Sequence, residues 1–258
     1  MIGIEAVSKG YGGNLVVDDV SLTIPRGRLT GIIGPNGAGK STLLGIMARL
    51  LEADRGHVTV DGLDVRDTPG RDLARRLSVL KQDNAISARL TVRDLVGFGR
   101  FPHGRGRLGE EDHAHVDRAL AYLELEDLSG RFLDELSGGQ RQRAHVAMVL
   151  CQDTDYMLFD EPLASLDIRH AVAMMDLLRR AARDFDKAVV VVLHDLNIAA
   201  NFSDEVIAMK DGRVAAHGPV DEAMTATRLS AIYGLPVEVH AIAGQRVITY
   251  AAPVKPAG

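Results

Sequence analysis

Cysteine is almost missing from the 258-residue chain: Cys151 stands alone. No disulfide can form within the chain, a usage that suits a reducing compartment. Long apolar runs are missing too. The longest candidates, 146–151 and 188–193, fall far short of the roughly 18 residues that a membrane-spanning helix needs. They suit a helix face and a buried strand, so work at a membrane would require docking on other subunits. Positive charge is not in excess: 30 Lys and Arg stand against 35 Asp and Glu, for a net of −5. That argues against a general nucleic-acid binder. The opening "MIGIEAVSKGYGG" has no charged start leading into an apolar stretch, so no signal peptide is expected. There is no long-period repeat and no low-complexity segment, and only "PVKPAG" reads as a frayed end.

What is present has the rhythm of an α/β protein. "IGIEAVS" and "LVVDDVSLTIP" alternate and are β-branched, which predicts antiparallel strands. "RLTGIIG" (28–34) predicts a buried strand running into a glycine loop, and 40–51 carries apolar residues at helical spacing. "HVTVDGLDV" predicts a strand and an Asp-Gly turn, and 77–82 another short strand. From about 88 to 152 the pattern is helical, with no convincing strand. Strands return at 155–162 and 188–195, separated by a helix. The tail from 204 reads as short strands, an Asp-Gly turn at 211–212 and one or two helices. Buried strands alternating with helices imply an α/β core, with the helical middle inserted between two of its strands.

The chemistry gathers at strand ends. "GPNGAGKST" (34–42) fits G-x-x-x-x-G-K-[ST], with a strand before it and a helix after it. In the loop Gly34, Pro35, Asn36, Gly37, Ala38 and Gly39 the glycines would let backbone N–H groups curl around phosphates, Lys40 would reach the β and γ oxygens, and Ser41 would ligate Mg²⁺. "YMLFDEP" (156–162) ends a strand in two acids. Asp160 suits a Mg²⁺ shell, and Glu161 has the reach to orient or deprotonate a water. His194 and Gln82 also end apolar strands. Alone, such a His is more often a strand-end residue and such a Gln uninformative; beside a phosphate loop they become candidates for the γ-phosphate and for Mg²⁺ or water. Tyr11, in a glycine-flanked turn, could stack on a base or pack in a hairpin. "LSGGQRQR" (136–143) resembles half a phosphate site: glycines before a helix, but no lysine.

These pieces in this order, with "SLD" at 165–167, resemble the ATP-binding cassette family over nearly the whole chain. "LSGGQ" is the specific element. The resemblance implies a RecA-like P-loop core with an N-terminal antiparallel β subdomain and a helical insert carrying the signature. The boundaries are expected at 1–86 and 155–235 for the core, 87–154 for the insert and 236–258 for a C-terminal extension, all in one ATPase domain. It implies ATP and Mg²⁺ as ligands, with Tyr11 on adenine and Lys40, Ser41 and Thr42 on phosphates and Mg²⁺. Gln82 would couple the Mg²⁺ site to a transmembrane partner, Glu161 would be the general base and His194 the γ-phosphate contact. Ser137, Gly138, Gly139 and Gln140 would close on ATP held by a second copy of the chain, with Ser137 and Gly139 touching its γ-phosphate, and Asp167 would bridge the two sites.

A cassette separate from its membrane spans points to an importer. "VGFGRFPH", "RFLDELSGGQRQRA" and "CQDTDY" resemble the ATPases of bacterial iron(III)-siderophore importers, with haem and cobalamin ATPases as near relatives. The implied partners are permease subunits and, indirectly, an extracytoplasmic binding protein, with the chain on the cytoplasmic face of the membrane and no nucleic acid involved. The alternatives are an importer ATPase for haem or cobalamin, or a soluble, non-transport cassette ATPase, but the long coiled coils of chromosome-structure and repair ATPases are missing here. Two other features are weaker. The basic stretch 100–107 reads as a solvated loop of the insert that could face a permease. His113 and His115 lie two apart on an expected helix and share no face, so no metal site is expected there.

Overall fold

The computed structural model describes residues 1–81, 88–104, 107–164 and 166–250. The alternation of the first residues builds a hairpin, β1 (Ile2–Tyr11) against β2 (Asn14–Ile24). Next come β3 (Leu29–Ile33), buried throughout, and α1 (Lys40–Met47). The helix expected over 40–51 is shorter because Arg49 turns to φ 54° and the amides of Leu50 and Leu51 return to the Gly45 carbonyl. β4 (Arg55–Val60) and β5 (Leu63–Asp64) flank the Asp61–Gly62 turn, whose positive φ values of 50° and 78° suit a tight hairpin. α2 (Gly70–Ala74) and β6 (Leu77–Leu80) end this half.

The insert then runs through α3 (Val92–Gly97), α4 (Phe101–Gly104), α5 (Glu110–Tyr122) and α6 (Gly138–Cys151). β7 (Tyr156–Asp160), α7 (Ile168–Asp184), β8 (Ala188–Val192) and α8 (Leu196–Phe202) return to the core. β9 (Glu205–Lys210), β10 (Arg213–Pro219), α9 (Val220–Ala223), α10 (Ala226–Tyr233), β11 (Val237–Ile242) and β12 (Gln245–Tyr250) complete the described chain.

The central sheet has the order β10-β9-β3-β8-β7-β6, parallel except for the antiparallel edge strand β10. A second, antiparallel sheet has the order β2-β1-β4-β5. Both faces of the central sheet are covered, as parallel strands require. Along β7, Tyr156 and Leu158 join the apolar cluster shared with the antiparallel sheet, while Met157 and Phe159 join the cluster shared with the insert. The whole insert lies between β6 and β7, which are hydrogen-bonded neighbours. The β11–β12 hairpin is fastened to α8 by two amides. Asn197 and Asn201, one turn apart, each donate to and accept from the β12 backbone, at Ile248 and Arg246 respectively.

The solvated-loop reading of 100–107 needs correcting at Arg100, Pro102 and His103, while Phe101 and Arg107 are exposed as it expects. Arg100 is 5% exposed; its Nε donates to Asp112 Oδ1 at 2.9 Å and its Nη1 to the Cys151 carbonyl at 3.1 Å. The Pro102 carbonyl accepts from both Arg71 and Arg75, and His103 meets the Gln152 carbonyl. Charge alone could not show this, because a buried Arg needs partners that are distant in sequence. Arg105 and Gly106 lie outside the described residues.

Replacing Arg100 by Met should therefore destabilise the fold by about 3–5 kcal/mol, since it strands the Asp112 carboxylate. The Arg100 hydrogen bond, then the Gly109 amide, hold the Asp112 carboxyl below the usual range. The native contribution is full above the unfolded-state value of about 4 and is lost as pH falls through the lowered native value. Urea titrations across pH should show the gap between wild type and variant closing below about pH 4.

Candidate functional site

Parallel pairing of β3, β8 and β7 brings three carboxyl ends to one edge of the sheet. From β3 the chain enters the loop 34–39. Gly34 has φ 146°, and a Cβ there would lie 2.2 Å from the Met209 carbonyl oxygen; Gly39 has φ 95°, and a Cβ would lie 2.3 Å from that of Val16. Only glycine fits either place. Asn36 and Gly37 face solvent, Pro35 is half-buried and Ala38 is buried. Lys40 opens α1, is 5% exposed, and donates to the Gly34 and Pro35 carbonyls at 2.8 and 2.9 Å. Burial lowers its ammonium from the ordinary lysine value, against the pull of Glu161 and Asp160. Thr42 follows, half-buried.

At the end of β7, Asp160 accepts from the Ser41 hydroxyl at 2.9 Å. Burial raises the Asp160 carboxyl; the Ser41 bond opposes this and neighbouring Glu161 adds to it. Glu161 turns to φ 51° directly after the strand, and its Oε1 lies 2.6 Å from His194 Nε2 beyond β8. One sheet edge thus joins Lys40, Ser41, Asp160, Glu161 and His194. Tyr11 stands 47% exposed at the β1–β2 turn, with the Lys9 ammonium 5.5 Å from its ring centre. Gln82 lies outside the described residues.

The 136–143 stretch stands apart. Ser137 caps α6: it accepts from the Gln140 amide, while the Gln140 side chain accepts from the Ser137 amide. This reciprocal box satisfies two groups at the helix start. A Cβ on Gly138 would meet open space. Gly139 faces His170 and Leu166, 3.6 Å from where its Cβ would be. Among the described residues, no hydrogen bond or ion pair joins Ser137 or Gln140 to Lys40, Ser41 or Asp160. Asp167 caps α7, accepting from the His170 amide at 2.9 Å and meeting His170 Nδ1 at 2.8 Å. Those bonds, the amide first, lower its carboxyl. His170 escaped the sequence reading; its one available signal was an Asp three residues ahead at a helix start.

A buried lysine heading a helix after a glycine loop, with a carboxylate on its hydroxyl neighbour, defines a P-loop nucleotide-binding protein. Similarity narrows the class. The family described as ABC transporter matches residues 17–164. The petrobactin import ATP-binding protein YclP of Bacillus subtilis is 47% identical over 97% of this chain and 99% of its own length. FatE of Bacillus anthracis, also a petrobactin import ATP-binding protein, is 49% identical over 93% and 96%. A solved dimeric ATP-binding cassette in a post-hydrolysis state with ADP and Pi is 30% identical, with a TM-score of 0.75, covering 85% of this chain and 99% of that one. The chain belongs to the ABC transporter family.

Proposed function

We propose that the chain is the ATP-hydrolysing subunit of a bacterial importer for iron(III)-siderophores. The observation that carries hydrolysis is the convergence of Lys40, Ser41, Asp160, Glu161 and His194 on one sheet edge. The cargo rests on the names of the petrobactin relatives. Ser41 and Asp160 would hold Mg²⁺: the donors are all oxygen, and a cation offsets the burial that raises Asp160. Bound there, Mg²⁺ supplies positive charge to the phosphate oxygens.

The chain's own residues do the rest. Backbone N–H groups of the loop 34–39, apart from Pro35, which has none, cradle the phosphates, Lys40 is aimed by the loop carbonyls, and Thr42 adds a hydroxyl. Glu161 takes the proton of the attacking water, and His194 orients Glu161 and meets the γ-phosphate. Tyr11 stacks on adenine. The amides of Gly138 and Gly139, left without carbonyl partners at the start of α6, and the Ser137 hydroxyl serve the ATP of a second copy, with Asp167 between the sites. Gln82 links the Mg²⁺ site to the permease. On this reading the insert, 87–154, moves against the core, 1–86 and 155–235, as two copies close, while 236–258 extends the core. The subunit works at the cytoplasmic face beneath its permease, which an extracytoplasmic binding protein supplies. No helix among the described residues is long and apolar enough to cross a membrane.

Three outcomes test this reading. Glu161→Gln should bind ATP and dimerise while hydrolysis falls about 10²–10⁴-fold; rapid single-turnover hydrolysis would remove Glu161 from the role of base. Ser137→Asp keeps an excellent helix cap but sets a carboxylate against the partner's phosphate. It should retain folding and monomer ATP affinity while losing ATP-dependent dimerisation in light scattering, and weakened monomer binding would refute the two-chain reading. Finally, vesicles bearing the complete complex should take up labelled iron(III)-siderophore on addition of ATP, and uptake of haem or cobalamin instead would reassign the cargo.

A further inference from the structure

A cavity of about 440 Å³ opens between the insert and the base of the central sheet, where β7 and β8 begin. This is the opposite end of those strands from Asp160 and His194. Its apolar walls come from both units: Tyr122 and Leu150 of the insert, Met157 and Phe185 of the core. The Tyr122 and Phe185 rings meet at 5.6 Å, tilted by 57°. The size is that of a small-molecule pocket.

The polar lining is uneven. Lys187 lies 3.0 Å from Asp153 and 3.9 Å from Asp155, so its charge is answered. Burial, then Arg100 and Arg118, hold the His115 ring below the ordinary histidine range, which leaves it neutral at pH 7. The Arg118 guanidinium has no hydrogen bond or ion pair among the described residues, and it lines the same cavity. The lining therefore carries Arg118 and Lys187 against Asp153, a net charge of one positive. That charge sits on a planar guanidinium, whose donor geometry matches a carboxylate in a two-pronged contact. A cation would meet Arg118 and a dianion would meet Asp153, whereas one carboxylate answers the excess.

From this we infer that the cavity binds a small amphipathic monocarboxylate, its apolar body among Tyr122, Leu150, Met157 and Phe185 and its carboxylate on Arg118. The ligand touches insert and core at once, far from the phosphate loop. The inference does not rest on the transport reading, because binding is measured without hydrolysis.

The test uses 2-naphthoate titrated into the full chain by NMR and by its own fluorescence, with 2-naphthalenemethanol as the uncharged counterpart. One saturable site per chain is expected, with submillimolar affinity and shifts at the Tyr122 and Phe185 ring signals. Arg118→Ala, a change at an exposed side chain, should weaken naphthoate about tenfold or more while leaving the alcohol's weaker binding unchanged. Saturating ATP should not displace the probe. Absence of saturation up to about 5 mM, equal affinity for the alcohol, indifference to Arg118→Ala, or displacement by ATP would each overturn the assignment.

Discussion

Parallel pairing of β3, β8 and β7 is the constraint on which the site depends. These strands are buried almost throughout, so their register is fixed by the apolar residues on both faces; a slip of one residue would turn each side chain to the wrong cluster. With the register fixed, the carboxyl ends are fixed. Asp160 then meets Ser41, and Glu161 meets His194, without any direct bond between the loops that carry them being required. The polar site is a consequence of apolar packing one or two residues upstream.

The site residues that were legible in the sequence are those whose role is written in the backbone. Gly34 and Gly39 are required by local approach to the Met209 and Val16 carbonyls, and a glycine-lysine pattern reports that requirement directly. Strand-end acids were legible because an apolar run that stops at Asp160 says where the sheet edge lies. Arg100 was not, since its partners Asp112 and the Cys151 carbonyl come from separate helices and local charge pointed to solvent. His170 was hidden for a similar reason: its capping bond to Asp167 is local, but its place against Gly139 is set by how α7 packs on α6. The length of α1 was overestimated because apolar spacing continues past the point where Arg49 reverses the chain. Gln82 and the end of the chain from 251 lie outside the described residues.

In the insert, two demands would fall on one short stretch under the proposed function. "SGGQ" is first a helix start: Ser137 and Gln140 satisfy each other's amides and hold α6 in place. Their bond leaves the two glycines between them with amides that no helical carbonyl can reach, and glycine adds no side chain to obstruct an anion. A lysine would be superfluous if the anion arrives already held by another chain. On the proposed two-copy site the missing charge has a reason: Lys40 stays with its own loop, and the capped helix would contribute directed dipoles to a phosphate it does not hold alone. If the cap and the proposed anion contact share Ser137, a substitution there must keep one while removing the other, and an acidic cap does so because it still accepts from the helix amides while repelling a phosphate.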